Sequence, residues 1–394
     1  RRRLLAAALL AGLAVPAVIT AQDVLSLDND EQKDWLTSFV EDRLSTPERQ
    51  IRLSNIEGAL GSDVSIRQIT IADEEGVWLR IDNASLNWNQ AALFTGRLEV
   101  RSLKADSIDF IRNAVPAEAP AADLPAPEAG GFAVPQFPVA IVLDELSVPS
   151  VRFGESVFGL AAEMSLSGAM TLDGGNLDAN LDIVRLDGPG GQLDLDVAYA
   201  NADSTIDLDL SLVEPENGVI ANLLNIENRP AMTLKLAGAG PIADLDAQLQ
   251  LLADGREALA GNASLAQGAD GLAIAADLGG PLSTLMAAPY RPFFGADTRL
   301  SARALLRQGG GLSLSDIHLT GGQLALDAAA ETGPDNFLTA LTLDARVADP
   351  SGQPVVLPVP GAATLLDSAG LKIDFGGAAG ENWSADLDVA GFAM

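Results

Sequence analysis

The sequence predicts a mainly β protein: an elongated, curled, antiparallel-rich sheet forming a hydrophobic groove, a β-taco, with an N-terminal transmembrane helix and a few short helices. Three observations carry this prediction. Apolar and polar residues alternate in run after run, which places the apolar ones on one face of a sheet. Turn signals separate the runs at short, regular spacing. Aromatic residues are only 5% of the chain, too few for a core that leans on bulky rings.

Residues 1–21 read as a membrane anchor. Arg1, Arg2 and Arg3 precede an apolar run whose anchoring side chains are Leu4, Leu5, Leu9, Leu10, Leu13, Val15, Val18 and Ile19. The run is at the short end of what crosses a hydrocarbon core of about 30 Å at about 1.5 Å per residue. The arginines keep the start cytoplasmic and send the rest outside. A signal peptide cleaved near Ala21 competes with this, but Ile19 stands where such a site needs a small residue. Residues 28–46 read as an amphipathic capping helix. Trp35, Leu36, Phe39, Val40 and Leu44 form one stripe, Asp34, Ser38, Glu41 and Asp42 lie opposite, and Pro47 ends the helix. Its acidic face would be repelled by an anionic membrane, so the helix is expected to cover the end of the sheet that follows.

Residues 50–112 form the opening sheet. Ile51 and Leu53, Val64 and Ile66, Ile69 and Ile71, then Val77, Leu79 and Ile81 alternate with polar residues, and the slip between Ile66 and Ile69 predicts a β-bulge. This stretch also carries the turn Gly58-Ala59-Leu60, the run Asp73 to Trp78, the segment Asn83 to Trp88, and Gly96-Arg97-Leu98 before the next strand. In that order, behind an anchor, these features resemble the N-terminal region of the TamB family. That family comprises the inner-membrane subunits of the translocation and assembly module and is related to AsmA-like proteins. The resemblance is strongest over Arg1 to Arg112 and moderate through the strand-rich remainder.

Residues 113–138, rich in Pro, Ala and Glu, read as a linker or excursion, since such a run builds neither core nor ladder. Residues 139–394 read as a repetitive β-groove. Its strands carry Leu181 and Ile183, Leu195 and Val197, then Ile206, Leu208 and Leu210, followed by Leu234, Leu249, Ile274 and Leu343, and these eleven are the expected groove lining. The runs 216–227 and 282–294 interrupt the series as helix-like excursions, the second stopped by Pro289 and Pro292. The chain begins without Met and stops just after the strand-like Trp383, Ala385, Leu387, Val389, so a fragment truncated within the groove is expected.

Composition argues against several functions. The net charge of −30, from 54 acidic and 24 basic residues, repels phosphate backbones and makes a nucleic-acid partner unexpected. With no cysteine and one histidine, His318 in a strand, the usual general bases, thiol nucleophiles and zinc sets are mostly excluded, so no catalytic residue, metal or cofactor is expected and the protein is not read as an enzyme. Asp194 and Asp196 recur as a motif in strand after strand, which fits a solvated face. The runs Gly190-Gly191-Gln192-Leu193-Asp194 and Gly174-Gly175-Asn176-Leu177-Asp178 are similar to calcium β-roll repeats but are not in tandem. Gly279-Gly280 and Gly309-Gly310-Gly311 lack a following Lys and are expected to be hairpin turns.

Periodicity alone does not separate a groove from a two-layer sandwich. The many inward alanines leave space unfilled, and about fifteen strands at ~4.8 Å give a sheet of roughly 70 Å, longer than compact sandwiches run. Such a lining could hold phospholipid acyl chains with headgroups in water. The resemblance implies the same: an inner-membrane-anchored periplasmic bridge toward an outer-membrane Omp85-type partner, linked to phospholipid transfer and to assembly of outer-membrane proteins. The C-terminal domain that meets that partner is missing from these residues. A scaffold pairing outer-membrane strands at the sheet edge, and a calcium-stabilised adhesin, are the alternatives.

Overall fold

Period-two alternation becomes strand, and the chain is mainly β and antiparallel-rich. The computed structural model describes residues 45, 49–58, 61–115, 139–335, 337–359, 364–376 and 383–393. The expected anchor over residues 1–21 lies outside them, as does all but Ser45 of the expected cap over 28–46. Among the described residues no helix is long and apolar enough to cross a membrane. These residues fall into two units.

The first unit holds β1 (Gln50–Glu57), β2 (Asp63–Asp73), β3 (Gly76–Asn89), α1 (Gln90–Leu93), β4 (Arg97–Lys104), β5 (Ser107–Phe110), β6 (Ala140–Phe153), α2 (Glu155–Phe158) and most of β7 (Ala162–Asp173). β1, β2 and β3 pair antiparallel in chain order. β3 then pairs with both β4 and β5, which share one register, Ser85 facing Lys104 and Asp82 facing Ser107. β6 runs parallel to both. A parallel neighbour requires a long crossover, and the stretch between Phe110 and Ala140 provides the length. The strands on either side of residues 113–138 therefore pair within one unit.

The slip between Ile66 and Ile69 is not an isolated bulge. Register is kept across it: Ile66 faces Ile56 and Ala84, while Ile69 faces Leu53 and Ile81. Every neighbouring strand makes the same slip at the same level, from Leu53 to Ile56, Ile81 to Ala84, Ala105 to Ile108, and Val148 to Val151. The apolar face consequently stays continuous. Asn55 (φ 50°) and Asn83 (φ 51°) turn the chain along this line, a conformation Asn tolerates better than most residues. Outward polar side chains stitch it: Gln68 Nε2 donates to Asp82 Oδ1 at 2.8 Å, and Asn83 Nδ2 donates to Asp106 Oδ2 at 2.7 Å. The register shift between β2 and β3 comes later, between Ile71 and Ala72. Ile81, Ala105, Val148 and Val151 form one buried cluster, and Ile71, Trp78 and Leu79 a second.

A polar clasp closes this unit. Asp73, buried at the end of β2, accepts from Arg112 Nη1 at 2.8 Å, from Arg112 Nη2, and from the backbone N–H groups of Val115 (2.8 Å) and Glu75 (2.9 Å). The Arg112 guanidinium holds the Asp73 carboxyl far below the usual carboxylate range, the backbone donors adding to it against the effect of burial. A lowered folded-state pKa contributes stability above the unfolded value of about 4, lost as pH falls toward the folded one. Asp73→Asn is therefore expected to lower the melting temperature at pH 7, by an amount that shrinks steadily below about pH 4 in a pH series of thermal melts.

The second unit is an antiparallel meander: β8 (Asn176–Arg185), β9 (Gln192–Ala200), β10 (Thr205–Glu214), β11 (Met232–Pro241), β12 (Asp244–Ala253), β13 (Arg256–Gly268), β14 (Gly271–Gly280), β15 (Thr298–Arg307), β16 (Leu312–Thr320), β17 (Leu324–Thr332) and β18 (Leu338–Ala348), with β19 (Val355–Val356) and β20 (Leu365–Leu366) paired to each other, then β21 (Ser368–Phe375) and β22 (Trp383–Ala390). At one end of the sheet the connections are short, as at 201–204, 242–243 and 269–270. The long ones follow β10, β14 and β18, all strands running the same way, and so share the other end. The first carries α3 (Val219–Leu223), the second two 3₁₀ turns (Leu282–Leu285, Ala288–Tyr290) and α4 (Arg291–Phe294), the third β19 and β20.

Two buried clusters of this unit involve these excursions, while Tyr199 and Ile242 are buried at the opposite end of the sheet. Ala221, Met232, Ala253, Ala258 and Leu285 form one cluster, and Phe293, Val355 and Leu366 another. Three details depart from the sequence reading. Pro292 lies in the first turn of α4, where its missing N–H costs nothing, and does not end a helix. Leu223 and Leu224 are exposed because α3 is only five residues long and the chain turns away at Asn225 (φ 52°). Gly279 and Gly280 are not a turn but the end of β14, where a Cβ on Gly280 would come within 2.6 Å of the Ala258 carbonyl oxygen.

Candidate functional site

Register assembles the scattered alternating residues into rows running across the strands. One row passes from Leu181 through Leu195, Leu210, Leu236 and Leu249 to Gly261, then through Leu278, Leu300, Leu319, Leu326, Ala345 and Leu371 to Leu387. It crosses thirteen strands, β8 to β18 and then β21 and β22, without a polar residue. Gly261 is its only gap, and a Cβ there would lie 2.0 Å from the Asp277 carbonyl oxygen.

The next row along the strands is made of small residues. From Val197 and Leu208 it continues as Gly238, Ala247, Ala263, Ala276 and Ala302. Beyond it stands another bulky row, Leu245, Leu265, Ile274, then Ala304, Leu314, Ala330, Leu341 and Phe375. The two bulky rows are four residues apart, roughly 13 Å at ~3.3 Å per residue, and the small row lies between them. The result is an apolar trough across β12 to β15; further along, Ile317, Leu343 and Ile373 fill the middle row.

All eleven predicted lining residues lie on this apolar face, and all are half-buried. Leu181, Leu195, Leu210 and Leu249 share the first row, while Val197 and Leu208 are cross-strand partners that open the second. Ile274 belongs to the third row. Ile206 pairs with Tyr199, Leu234 with Leu212 and Leu251, and Ile183 with Leu193. Leu343 joins Ala328 to Ile373 further along. Leu300 and Leu319 complete the first row and were not named from the sequence. Their strands do alternate, but only the register shows that they continue that row.

The opposite face is acidic and wet. Asp182 faces Asp194 across the ladder and Asp196 faces Asp209, like charges placed where pairs repel. Partial burial, with the Asp194 carboxyl opposite, pushes the Asp182 pKa up. A raised carboxyl pKa helps the fold below the unfolded value of about 4, and that contribution is lost as pH rises through the folded one. Asp182→Asn is thus expected to raise the melting temperature at pH 7 and to have no effect near pH 3. His318 is exposed on this face in β16, its Nδ1 against the Asp327 carboxylate. Gly174–Gly175 and Gly190–Gly191 are turns leading into β8 and β9. Among the described residues no three acidic or histidine side chains are grouped to hold a metal.

At the end of the sheet where the long connections lie, the three excursions border an open cleft of about 740 Å³. Asn217, Glu227, Asn228 and Arg229 come from the first, Met286 and Tyr290 from the second. The Ala288 N–H donates to Glu227 Oε2 at 3.2 Å and ties the two together. The apolar floor of the cleft, Ile226, Leu285 and Met286, packs against the cluster that includes Leu251 of β12. Comparison of the chain with models of protein families, with curated proteins and with solved structures returned no match.

Proposed function

We propose that the chain is a non-enzymatic carrier of phospholipids, anchored in the inner membrane and reaching through the periplasm of a Gram-negative bacterium toward an Omp85-type partner in outer-membrane biogenesis. The observation that carries the reading is the trough: two bulky apolar rows with a small-residue row between them across β12 to β15, the first bulky row continuing half-buried from β8 to β21. In a sandwich, a second layer would bury these side chains completely. Apolar contact is non-directional, so an acyl chain can slide along such a surface without a specific site. The location rests on the arginine-flanked apolar run and on the likeness to TamB proteins. Mass spectrometry of lipids copurifying with residues 22–394 tests the reading. Stoichiometric phospholipid is expected, and lipid-free protein from cells rich in phospholipid would overturn it.

A second reading is favoured by β22. Among the described strands it pairs with β21 alone, and Trp383 and Leu387 are 72% and 69% exposed. An edge of this kind accepts an incoming strand. Proline substitutions along β22 would abolish strand capture and leave lipid occupancy unchanged.

A further inference from the structure

We infer that the cleft among the three excursions is a headgroup site for a zwitterionic phospholipid, one carrying a phosphodiester and an ammonium. The inference rests on the carrier reading and adds a substrate class to it. Four residues of the cleft hold positive φ: Asn217 (63°), Asn225 (52°), Asn228 (62°) and Arg229 (40°). Asn adopts this conformation readily, but a side chain as bulky as Arg does so at a cost, and strain of that kind gathers at binding sites. The Arg229 guanidinium and the amides of Asn217 and Asn228 make no ion pair or hydrogen bond with any described residue. All are therefore available to a ligand.

Each half of such a headgroup meets a matching group. Guanidinium and amide N–H groups suit phosphate oxygens, and the planar guanidinium can bind two at once. Glu227 stands two residues away with Oε2 engaged by the Ala288 N–H, and Tyr290 lines the same cleft with an aromatic ring, a group that attracts an ammonium. Below both, Ile226, Leu285 and Met286 lead to Leu251, so a tail can leave the cleft along the apolar face. Charge decides between lipid classes. A chain of net charge −30 repels a lipid of net negative charge, whereas a zwitterion adds no net charge.

The test uses the full chain in detergent micelles supplied with equal amounts of phosphatidylethanolamine and phosphatidylglycerol, the bound lipid being counted by native mass spectrometry. Phosphatidylethanolamine is expected in about tenfold excess, the ratio one charge-assisted contact provides. Glu227→Gln, which still accepts from Ala288, is expected to bring the ratio to that supplied with total lipid unchanged, whereas Arg229→Asn, which keeps a residue tolerant of positive φ, removes the phosphate contact common to both lipids and is expected to weaken the cleft's hold on both. Free glycerophosphoethanolamine in excess is expected not to displace the lipid. If it does, the ligand is the soluble headgroup and the lipid assignment fails. A wild-type ratio equal to that supplied overturns the cleft alone, whereas absence of any bound lipid overturns the carrier reading itself.

Discussion

Leu208→Asp and Leu195→Arg are each expected to reduce the lipid held by the protein at least tenfold while the sheet stays folded. Both side chains are half-buried on the apolar face, Leu195 in the first bulky row and Leu208 where the small row begins. Without lipid, a charge at either position remains partly in water, and the ladders on both sides of β9 and β10 keep their backbone hydrogen bonds. With an acyl chain laid across it, that charge would lose its water. The penalty is about 2 kcal/mol or more, which exceeds the ~1.4 kcal/mol of a tenfold change in occupancy. Circular dichroism and lipid counts on the same samples separate loss of cargo from loss of fold. Leu208→Met, similar in size and uncharged, is expected to bind as the wild type does.

Glu214→Ala is expected to destabilise the second unit by about 2–4 kcal/mol. Glu214 ends β10 at 5% exposure, and its carboxylate accepts the N–H groups that begin α3: Val219, Ile220 (2.9 Å to Oε2) and Ala221 (3.4 Å). Removing the acceptor takes away the partner these donors have at the start of so short a helix and leaves those of Val219 and Ala221 buried. The fit is close enough that a Cβ on Gly218 would fall 1.9 Å from the Glu214 side chain. At 2–4 °C per kcal/mol for a unit of roughly 200 residues, the melting temperature should fall by about 4–16 °C. Because α3 leads into the 225–229 loop, hydrogen exchange there should accelerate first.

The strands were legible because a half-buried sheet enforces period two, and Leu177 to Ile183 or Leu193 to Tyr199 admit no other reading. Register was not legible. Nothing in the local sequence says that Leu249 meets Gly261 and, through it, Leu278, so the trough between the bulky rows emerges only from pairing. The slip at Ile66 was visible, but one strand could not reveal that its neighbours share it and so preserve register. Gly279 and Gly280 were misplaced because a glycine pair signals a turn, whereas here the absent side chains admit the neighbouring backbone. The cleft around Arg229 carries no periodic signal at all. Its only trace in the sequence is three asparagines, Asn217, Asn225 and Asn228, around Glu227 and Arg229.

The claim on which the rest depends is that acyl chains lie against the apolar face of the meander. A photo-crosslinking amino acid placed in turn at Leu208, Asp209 and Leu210 of the full chain, illuminated in cells grown with labelled phospholipid, tests it directly. Adducts at 208 and 210 and none at 209 are predicted, since successive side chains point to opposite faces. Equal labelling at all three positions, or labelling confined to 209, would contradict the account.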